Sequence, residues 1–119
     1  MERSLITINV NTKAYNNIFS ENAWLNHIQF SPTNPDLLMY CHEGPWHKVD
    51  RIWNINIKTK ENQLIHKRTV HREIAGHEFF SPDGKTIWFD LQIPRSVTFY
   101  LAGNNLETGK ETRYGLKRD

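Results

Sequence analysis

The stretch HEFFSPDGKTIWFD, residues 77–90, decides the fold, because a close copy of it, HIQFSPTNPDLLMYC, stands 50 residues earlier at 27–41. Both copies read as a histidine, an aromatic residue, Ser-Pro, a polar turn and an apolar strand. A second element repeats with the first: three strand-turn-strand segments place their turn threonines, Thr12, Thr59 and Thr108, 47 and 49 residues apart. A period of this length is typical of a repeat architecture.

Each repeat divides into about four short strands rich in Ile, Val, Phe, Trp and Tyr, separated by Asn, Asp, Gly and Pro. Helical periodicity is absent, and four-stranded units that recur every 40 to 50 or so residues are typical of β-propeller blades. We therefore predict an all-β fold made of four-stranded antiparallel propeller blades. One partial propeller domain spans 1–119, with the outer hairpin of a preceding blade at 1–22 and two blades at 23–70 and 71–119.

Composition narrows the classes of partner. The 15 Lys and Arg residues nearly balance the 13 Asp and Glu residues, and the formal charge of +2 predicts neither a nucleic-acid partner nor a membrane partner. Cys41 is the only cysteine, so an internal disulfide is excluded. The N-terminal segment MERSLITINV has neither a long apolar core nor a small-residue cleavage site, and a cytoplasmic location is expected by default.

Two histidines and one arginine occupy positions that are compatible with either a structural or a catalytic role. A histidine at the start of a propeller strand more often bonds to a neighbouring blade than to a ligand, and His27 and His77 occupy that position in the two copies. For His27 we expect a structural role with a side chain that faces the site. Arg51 is either a substrate-binding cation or a strand-end charge that is solvated or paired with Asp50.

The segments FSPTNPDLLMYCHEGPWHKVDRIWNI (30–55) and IAGHEFFSPDGKTIWFDLQ (74–92) strongly resemble the oligogalacturonate lyases, a polysaccharide lyase family with a seven-bladed propeller. The resemblance covers essentially the whole chain, and the CHEGPWH, DRIW and GHEF motifs are too long for a chance pattern. It corresponds to the middle of a family member, with blades missing on both sides.

This resemblance implies β-elimination of short galacturonate oligosaccharides derived from pectin. In that reaction a base removes the C5 proton of a uronate, and a cation stabilises the charge that develops on its carboxylate. Histidine is suited to the first task and arginine to the second. In the family's pattern the histidine of the GHEF motif, here His77, is the base, and the arginine of the DRIW motif, here Arg51, is its electrostatic partner.

Other polar side chains are candidates for binding the substrate or for simple solvation. The loop EGPW lies between His42 and His47, and Trp46 within it offers a sugar-stacking face. We predict His42, His47, Trp46 and His27 as substrate-binding residues. His66 and His71 lie in a polar connection, IHKRTVHREI, and are expected to be solvated.

The resemblance also implies a manganese ion, held by histidines and a glutamine of later blades that this chain does not contain. No ligand spacing among His27, His42, His47 and His77 indicates a metal site. We therefore expect the chain alone to be weakly active or inactive. Two alternatives stay open: a carbohydrate-binding remnant without turnover, and a propeller-type protein interaction module.

The missing blades also predict self-association. Strands such as KTIWFDL (85–91) and VTFYLAG (97–103) are expected to present apolar area and unpaired edges to water. A homo-oligomer that covers these blade faces is the expected assembly.

Overall fold

The computed structural model describes residues 1–45 and 47–117. They form ten strands. In chain order the strands are β1 (Arg3–Ile8), β2 (Tyr15–Glu21), β3 (Trp24–Phe30), β4 (Leu37–Glu43), β5 (Ile52–Asn56), β6 (Asn62–Leu64), β7 (Ile74–Phe80), β8 (Thr86–Gln92), β9 (Phe99–Asn105) and β10 (Glu111–Leu116). Since none of the described residues is helical, they include no helix with the length and apolar character needed to cross a membrane.

The strands build one antiparallel hairpin and two antiparallel four-stranded sheets. The hairpin is β1-β2, the second sheet has the order β3-β4-β5-β6, and the third has the order β7-β8-β9-β10. Each four-stranded sheet is a meander in chain order, which is the topology of a propeller blade, so the predicted all-β propeller fold is confirmed. The boundaries proposed from the sequence, 22/23 and 70/71, fall in connections between sheets.

The central strands β4 and β5 of the middle sheet are buried on both faces, and the alternation along β4 explains why. Leu38 and Tyr40 pack toward the hairpin, in a cluster with Leu5, Ile18 and Ile55. The intervening Met39 packs toward the third sheet, in a cluster completed by the buried residues Ile52, Ile65, Ala75, Ile87, Phe89, Leu91 and Ala102. A strand with apolar side chains on both faces reads as a continuous apolar run, as LLMYC does.

The exposed apolar side chains lie only partly where the sequence predicted, since Val97 of VTFYLAG is 63% exposed but the apolar residues of KTIWFDL are not. In KTIWFDL, Ile87, Phe89 and Leu91 are fully buried because β8 packs against the middle sheet. The prediction was therefore wrong for this strand. Large apolar side chains are exposed instead on the hairpin, on β3 and on β10, namely Ile6, Ile8, Val10, Tyr15, Trp24, Ile28, Phe30, Tyr114 and Leu116.

The three threonine-marked repeats are three copies of one turn. In each, an asparagine side-chain oxygen accepts hydrogen bonds from the backbone N–H groups of the residues two and three positions later. The asparagines are Asn9, Asn56 and Asn105. Such Asx turns allow a tight reversal between antiparallel strands. These turns lie at one end of the sheets, and the connections 44–51, 65–73 and 93–98 lie at the other.

Candidate functional site

His27 and His77 each begin a β-bulge on the first strand of a blade. In each bulge two residues face one residue of the neighbouring strand: 27–28 face Tyr40, and 77–78 face Phe89. Both histidines have φ 52°, a left-handed conformation that costs most side chains energy and that histidine adopts more readily than most. His27 and His77 therefore lie in the middle of β3 and β7. The prediction that each stands at the start of a strand was wrong.

The bulge on β7 turns His77 outward and Glu78 inward. The His77 side chain is 79% exposed, and its Nδ1 lies 3.5 Å from Oδ2 of Asp90 on β8. The same Asp90 oxygen accepts a hydrogen bond from Gln92 at 3.0 Å. The Glu78 side chain is fully buried. His77 is consequently open to a ligand on one side and faces a carboxylate on the other.

His27 occupies the equivalent position one blade earlier, but its ring lies between two carboxylates. Its Nδ1 is 2.8 Å from Glu78 Oε1, and its Nε2 is 3.6 Å from Glu43 Oε1. The first contact joins the bulge of one blade to the bulge of the next. Because the ring is still 44% exposed, His27 combines an inter-blade contact with access to solvent.

Arg51 is buried and joins two blades. Its Nε donates to the Ala75 carbonyl at 2.8 Å, and its Nη1 and Nη2 donate to the Glu43 carboxylate at 3.3 and 3.4 Å. Asp50 pairs with Arg68 instead, so the alternatives of a solvated Arg51 and of an Arg51–Asp50 pair are both wrong. The guanidinium is thus fixed to β7 two residues before His77.

His42 contacts the hairpin. Its Nε2 lies 2.7 Å from Glu21 Oε2, and its ring packs between those of Tyr40 and Trp53, with centroids 5.7 and 5.3 Å away. This contact connects the first blade to the hairpin before it. One ring nitrogen of His42 is therefore already bound to a carboxylate, so His42 can contact a substrate only through its other ring nitrogen or its ring face.

His47 faces a second histidine in a neighbouring connection. Its ring centroid is 6.1 Å from that of His71. Loss of hydration lowers the pKa of His47, and the nearby cations Lys48, His71, Arg95 and Arg72 lower it further. Trp46, the predicted stacking residue beside it, lies outside the described residues.

His66 was expected to be solvated, and this expectation was wrong. It is buried, with Nε2 on Glu73 Oε1 and Nδ1 on Glu111 Oε1. Burial alone would lower the pKa of His66, but the hydrogen bonds that its ring donates to Glu111 and Glu73 outweigh burial and raise the pKa above its ordinary value. His71, in the same connection, is exposed as predicted.

One group of described residues has metal-ligand chemistry. The candidate ligand atoms of His27, Cys41 and Glu43 all lie within 4.8 Å of one another. Burial, with a further contribution from the Glu78 charge, raises the pKa of Cys41 to about 12. A soft, protonated thiol and a carboxylate already bonded to Arg51 do not suit manganese, which prefers oxygen and nitrogen ligands. We assign no manganese to this group.

Comparison with known proteins places this arrangement in a family. The family model described as oligogalacturonate lyase matches residues 2–109. An oligogalacturonide lyase of Pectobacterium atrosepticum and an oligogalacturonate lyase of Dickeya dadantii are each 36% identical to the chain over 98 residues, or 82% of its length. The chain spans 25% of the length of each of these curated relatives.

Solved structures agree in fold. An oligogalacturonate lyase in complex with manganese superposes with a TM-score of 0.86 at 26% identity, covering 97% of this chain and 31% of that one. The crystal structure of an oligogalacturonate lyase from Vibrio parahaemolyticus gives the same TM-score and identity over 98% of this chain and 31% of its own. Sequence and fold together show that the chain belongs to the oligogalacturonate lyase family.

Proposed function

We propose that this chain contributes the base and its electrostatic partner to β-elimination in oligogalacturonate, with His77 as the base and Arg51 as the cation. The observation that carries the proposal is the contrast between His77 and the other bulge histidine. His27 has a carboxylate 2.8 Å from one ring nitrogen, whereas His77 is 79% exposed and its Asp90 carboxylate lies 3.5 Å away. An accessible imidazole beside an orienting carboxylate is the arrangement that a general base requires.

In the proposed elimination, His77 accepts the proton that the substrate loses. An imidazole nitrogen of His77 takes the C5 proton, and the electron pair of the C–H bond forms the C4–C5 double bond. The bond from C4 to the glycosidic oxygen breaks, and the departing oxygen takes a proton from water. The imidazolium of His77 then gives its proton to the hydroxide that remains, which restores the base. Asp90 holds the His77 ring and stabilises the imidazolium as it forms, as a carboxylate behind a histidine base does in other enzymes.

Arg51 supplies the positive charge in a position that the fold determines. The carbonyl of Ala75 and the carboxylate of Glu43 hold its guanidinium in place, so little reorganisation is needed when negative charge develops on the substrate. Because its Nε, Nη1 and Nη2 already bind these two groups, Arg51 acts on the substrate as a fixed positive charge. In the family, manganese would supply further stabilisation of that charge when bound.

Next to Glu43 lies a pocket that a sugar ring can enter. Its volume is about 610 Å³, and its lining consists of Trp24, Asn26, Glu43, Gly44 and Pro45. The Trp24 side chain is 66% exposed and offers an apolar face, while the Asn26 amide offers hydrogen bonds to hydroxyl groups. We propose Trp24 as a sugar platform in addition to the predicted substrate residues His27, His42, His47 and Trp46.

The activity expected of the 119-residue chain by itself depends on whether its residues can bind manganese. The described residues offer no set that suits manganese, and the family resemblance puts the manganese ligands in later blades. We therefore propose that the chain alone eliminates oligogalacturonate weakly, and that strong activity needs ligands from outside it.

The test is the ultraviolet absorbance of unsaturated product from trigalacturonate, measured for the chain with manganese and with a chelator. The account predicts slow or undetectable product from the chain and rapid product from the Dickeya dadantii lyase under the same conditions. Rapid product from the chain that the chelator abolishes would contradict the proposed location of the metal. Binding of trigalacturonate without turnover in both proteins would favour the carbohydrate-binding alternative.

A further inference from the structure

Three connections meet at the end of the sheets where the first strand of each blade begins. They are 44–51, 65–73 and 93–98, and backbone hydrogen bonds tie them together. The Arg68 N–H donates to Asp50 Oδ1 at 3.0 Å, and the Arg95 N–H donates to the Arg72 carbonyl at 2.7 Å. The positions of side chains on these connections are therefore set by the two blades jointly.

These connections bring positive groups together. We define the cationic patch as His47, Lys48, His71, Arg72 and Arg95. Four of the five are exposed and His47 is half-buried, and the centroids of its two imidazole rings lie 6.1 Å apart. The lowered pKa of His47 reports the same proximity, since the other four groups of the patch contribute to it.

The cations of the patch lack counter-charges within residues 1–45 and 47–117. There, no carboxylate lies within ion-pairing distance of Lys48, Arg72 or Arg95, and the adjacent Asp50 is paired with Arg68. Arg72 also adopts φ 63°, a conformation that favours glycine or asparagine. Repulsion among these charges opposes folding, so an anionic ligand that neutralises them would bind favourably.

We propose that the cationic patch binds the carboxylates of uronate residues beyond the one that reacts. This inference rests on the proposed function, because it is the oligogalacturonate substrate that brings a carboxylate on every sugar. The connection 44–51 carries His47 and Lys48 and ends at Arg51, and the connection 65–73 carries His71 and Arg72 and leads into β7, the strand of His77. The patch therefore lies at the strand ends that precede both proposed catalytic residues. Arg72 and Arg95 supply planar donors that can each bind a carboxylate through two hydrogen bonds.

The experiment is a calorimetric titration of the 119-residue chain with trigalacturonate, in a His77→Ala background that prevents turnover. The test variant is Arg72→Asn/Arg95→Ala, in which asparagine tolerates the left-handed backbone. The control variant is Lys58→Ala/Lys110→Ala, which removes two exposed charges from the turns at the opposite end. Circular dichroism and thermal melting establish that all the variants are folded.

We expect the test variant to bind about tenfold more weakly, as the loss of charge-assisted hydrogen bonds implies, and with a smaller salt dependence. The control should bind within about twofold of the parent, since its charges lie far from the ligand. Fully methyl-esterified trigalacturonate should bind no better to the parent than to the test variant. Arg72→Lys, which keeps the charge but loses the paired planar donors, should bind with an affinity between those of the parent and the test variant.

Several outcomes would overturn the inference. The first is that the control variant weakens trigalacturonate binding as much as the test variant does, and the second is that the parent binds the methyl ester as tightly as trigalacturonate. The third is that trigalacturonate binding is not measurable at millimolar concentration. The fourth is that a single-stranded oligonucleotide binds as tightly as trigalacturonate and depends on the patch to the same extent. Because no turnover is involved, these results are separable from failure of the proposed function. That failure would appear as normal turnover by the Dickeya dadantii lyase after substitution at the position aligned with His77.

Discussion

Arg51 and Ala75 join two neighbouring blades through one buried hydrogen bond, from the guanidinium Nε to the backbone carbonyl at 2.8 Å. The same guanidinium binds Glu43 on the preceding strand. A residue proposed to act on the substrate is therefore also a structural link between the blade that carries it and the strand that carries His77. Its substitution should affect stability as well as activity.

We expect Arg51→Ala to lower the free energy of unfolding by about 2–3 kcal/mol, because the buried Ala75 carbonyl and the Glu43 carboxylate lose their partner. Urea denaturation of the chain measures this change. Arg113→Ala, which removes a half-exposed arginine from β10, is the control and should cost less than about 1 kcal/mol. A loss for Arg51→Ala no larger than that of the control would show that the link between the blades contributes little.

The left-handed backbone at His77 allows the effect of a substitution on stability to be distinguished from its effect on catalysis. At φ 52° glycine is unstrained, so His77→Gly should keep or raise the free energy of unfolding, whereas His77→Val should lower it by about 1–2 kcal/mol. Both variants remove the imidazole. Thermal melting compares them, and a glycine variant less stable than the valine variant would contradict the assigned bulge geometry.

The buried cluster of His66, Glu73 and Glu111 predicts a pH dependence of stability. The raised pKa of His66 means that its contribution is complete below the ordinary value of 6.5 and is lost as the pH rises through the raised value. Burial alone would raise the carboxyl pKa values of Glu73 and Glu111, but hydrogen bonds outweigh it and lower both. Glu73 accepts them from Thr69 and His66, and Glu111 from His66 and Arg113. Their contribution is complete above 4.5 and is lost as the pH falls.

The cluster should therefore stabilise the chain most between pH 4.5 and 6.5. Replacing His66 with alanine leaves the buried Glu73 carboxylate without its cation and should cost about 3 kcal/mol at pH 6. Chemical denaturation at a series of pH values measures both effects. The exposed His71→Ala variant is the control, and a His66→Ala variant with the parent's pH profile would refute the assignment.

The exposed apolar residues predict self-association of the isolated chain. Trp24, Phe30 and Tyr114 are 66%, 54% and 56% exposed, on the first strand of one blade and the last strand of the other. Covering about 400 Å² of such surface would contribute about 10 kcal/mol. Light scattering at micromolar concentration should give a mass above 14.1 kDa, reduced by Trp24→Lys/Phe30→Glu. A stable monomer with a cooperative melt would contradict this expectation.

The sequence predicted the blades well because their signals are local. Strand patterns and the polar turns marked by Thr12, Thr59 and Thr108 each lie within a short segment, and the 50-residue repeat shows the same segment twice. The site was harder, because its contacts depend on register and on pairing between sheets. The signals around His66 are those of a polar loop, and nothing near it indicates Glu111, 45 residues away. Asp50 adjoins Arg51 in sequence, yet the strand pairing places the Arg51 guanidinium beside the Glu43 carboxylate.

The most direct test of the central claim, that His77 is the base, is chemical rescue by free imidazole. The measurement is turnover of trigalacturonate by the Dickeya dadantii lyase with glycine at the position aligned with His77, with and without added imidazole. The account predicts a loss of about 10²–10⁴-fold, as removal of a general base implies, with partial recovery as imidazole is added. Turnover equal to the parent's, or a loss that imidazole does not reduce while the protein stays folded, would contradict it.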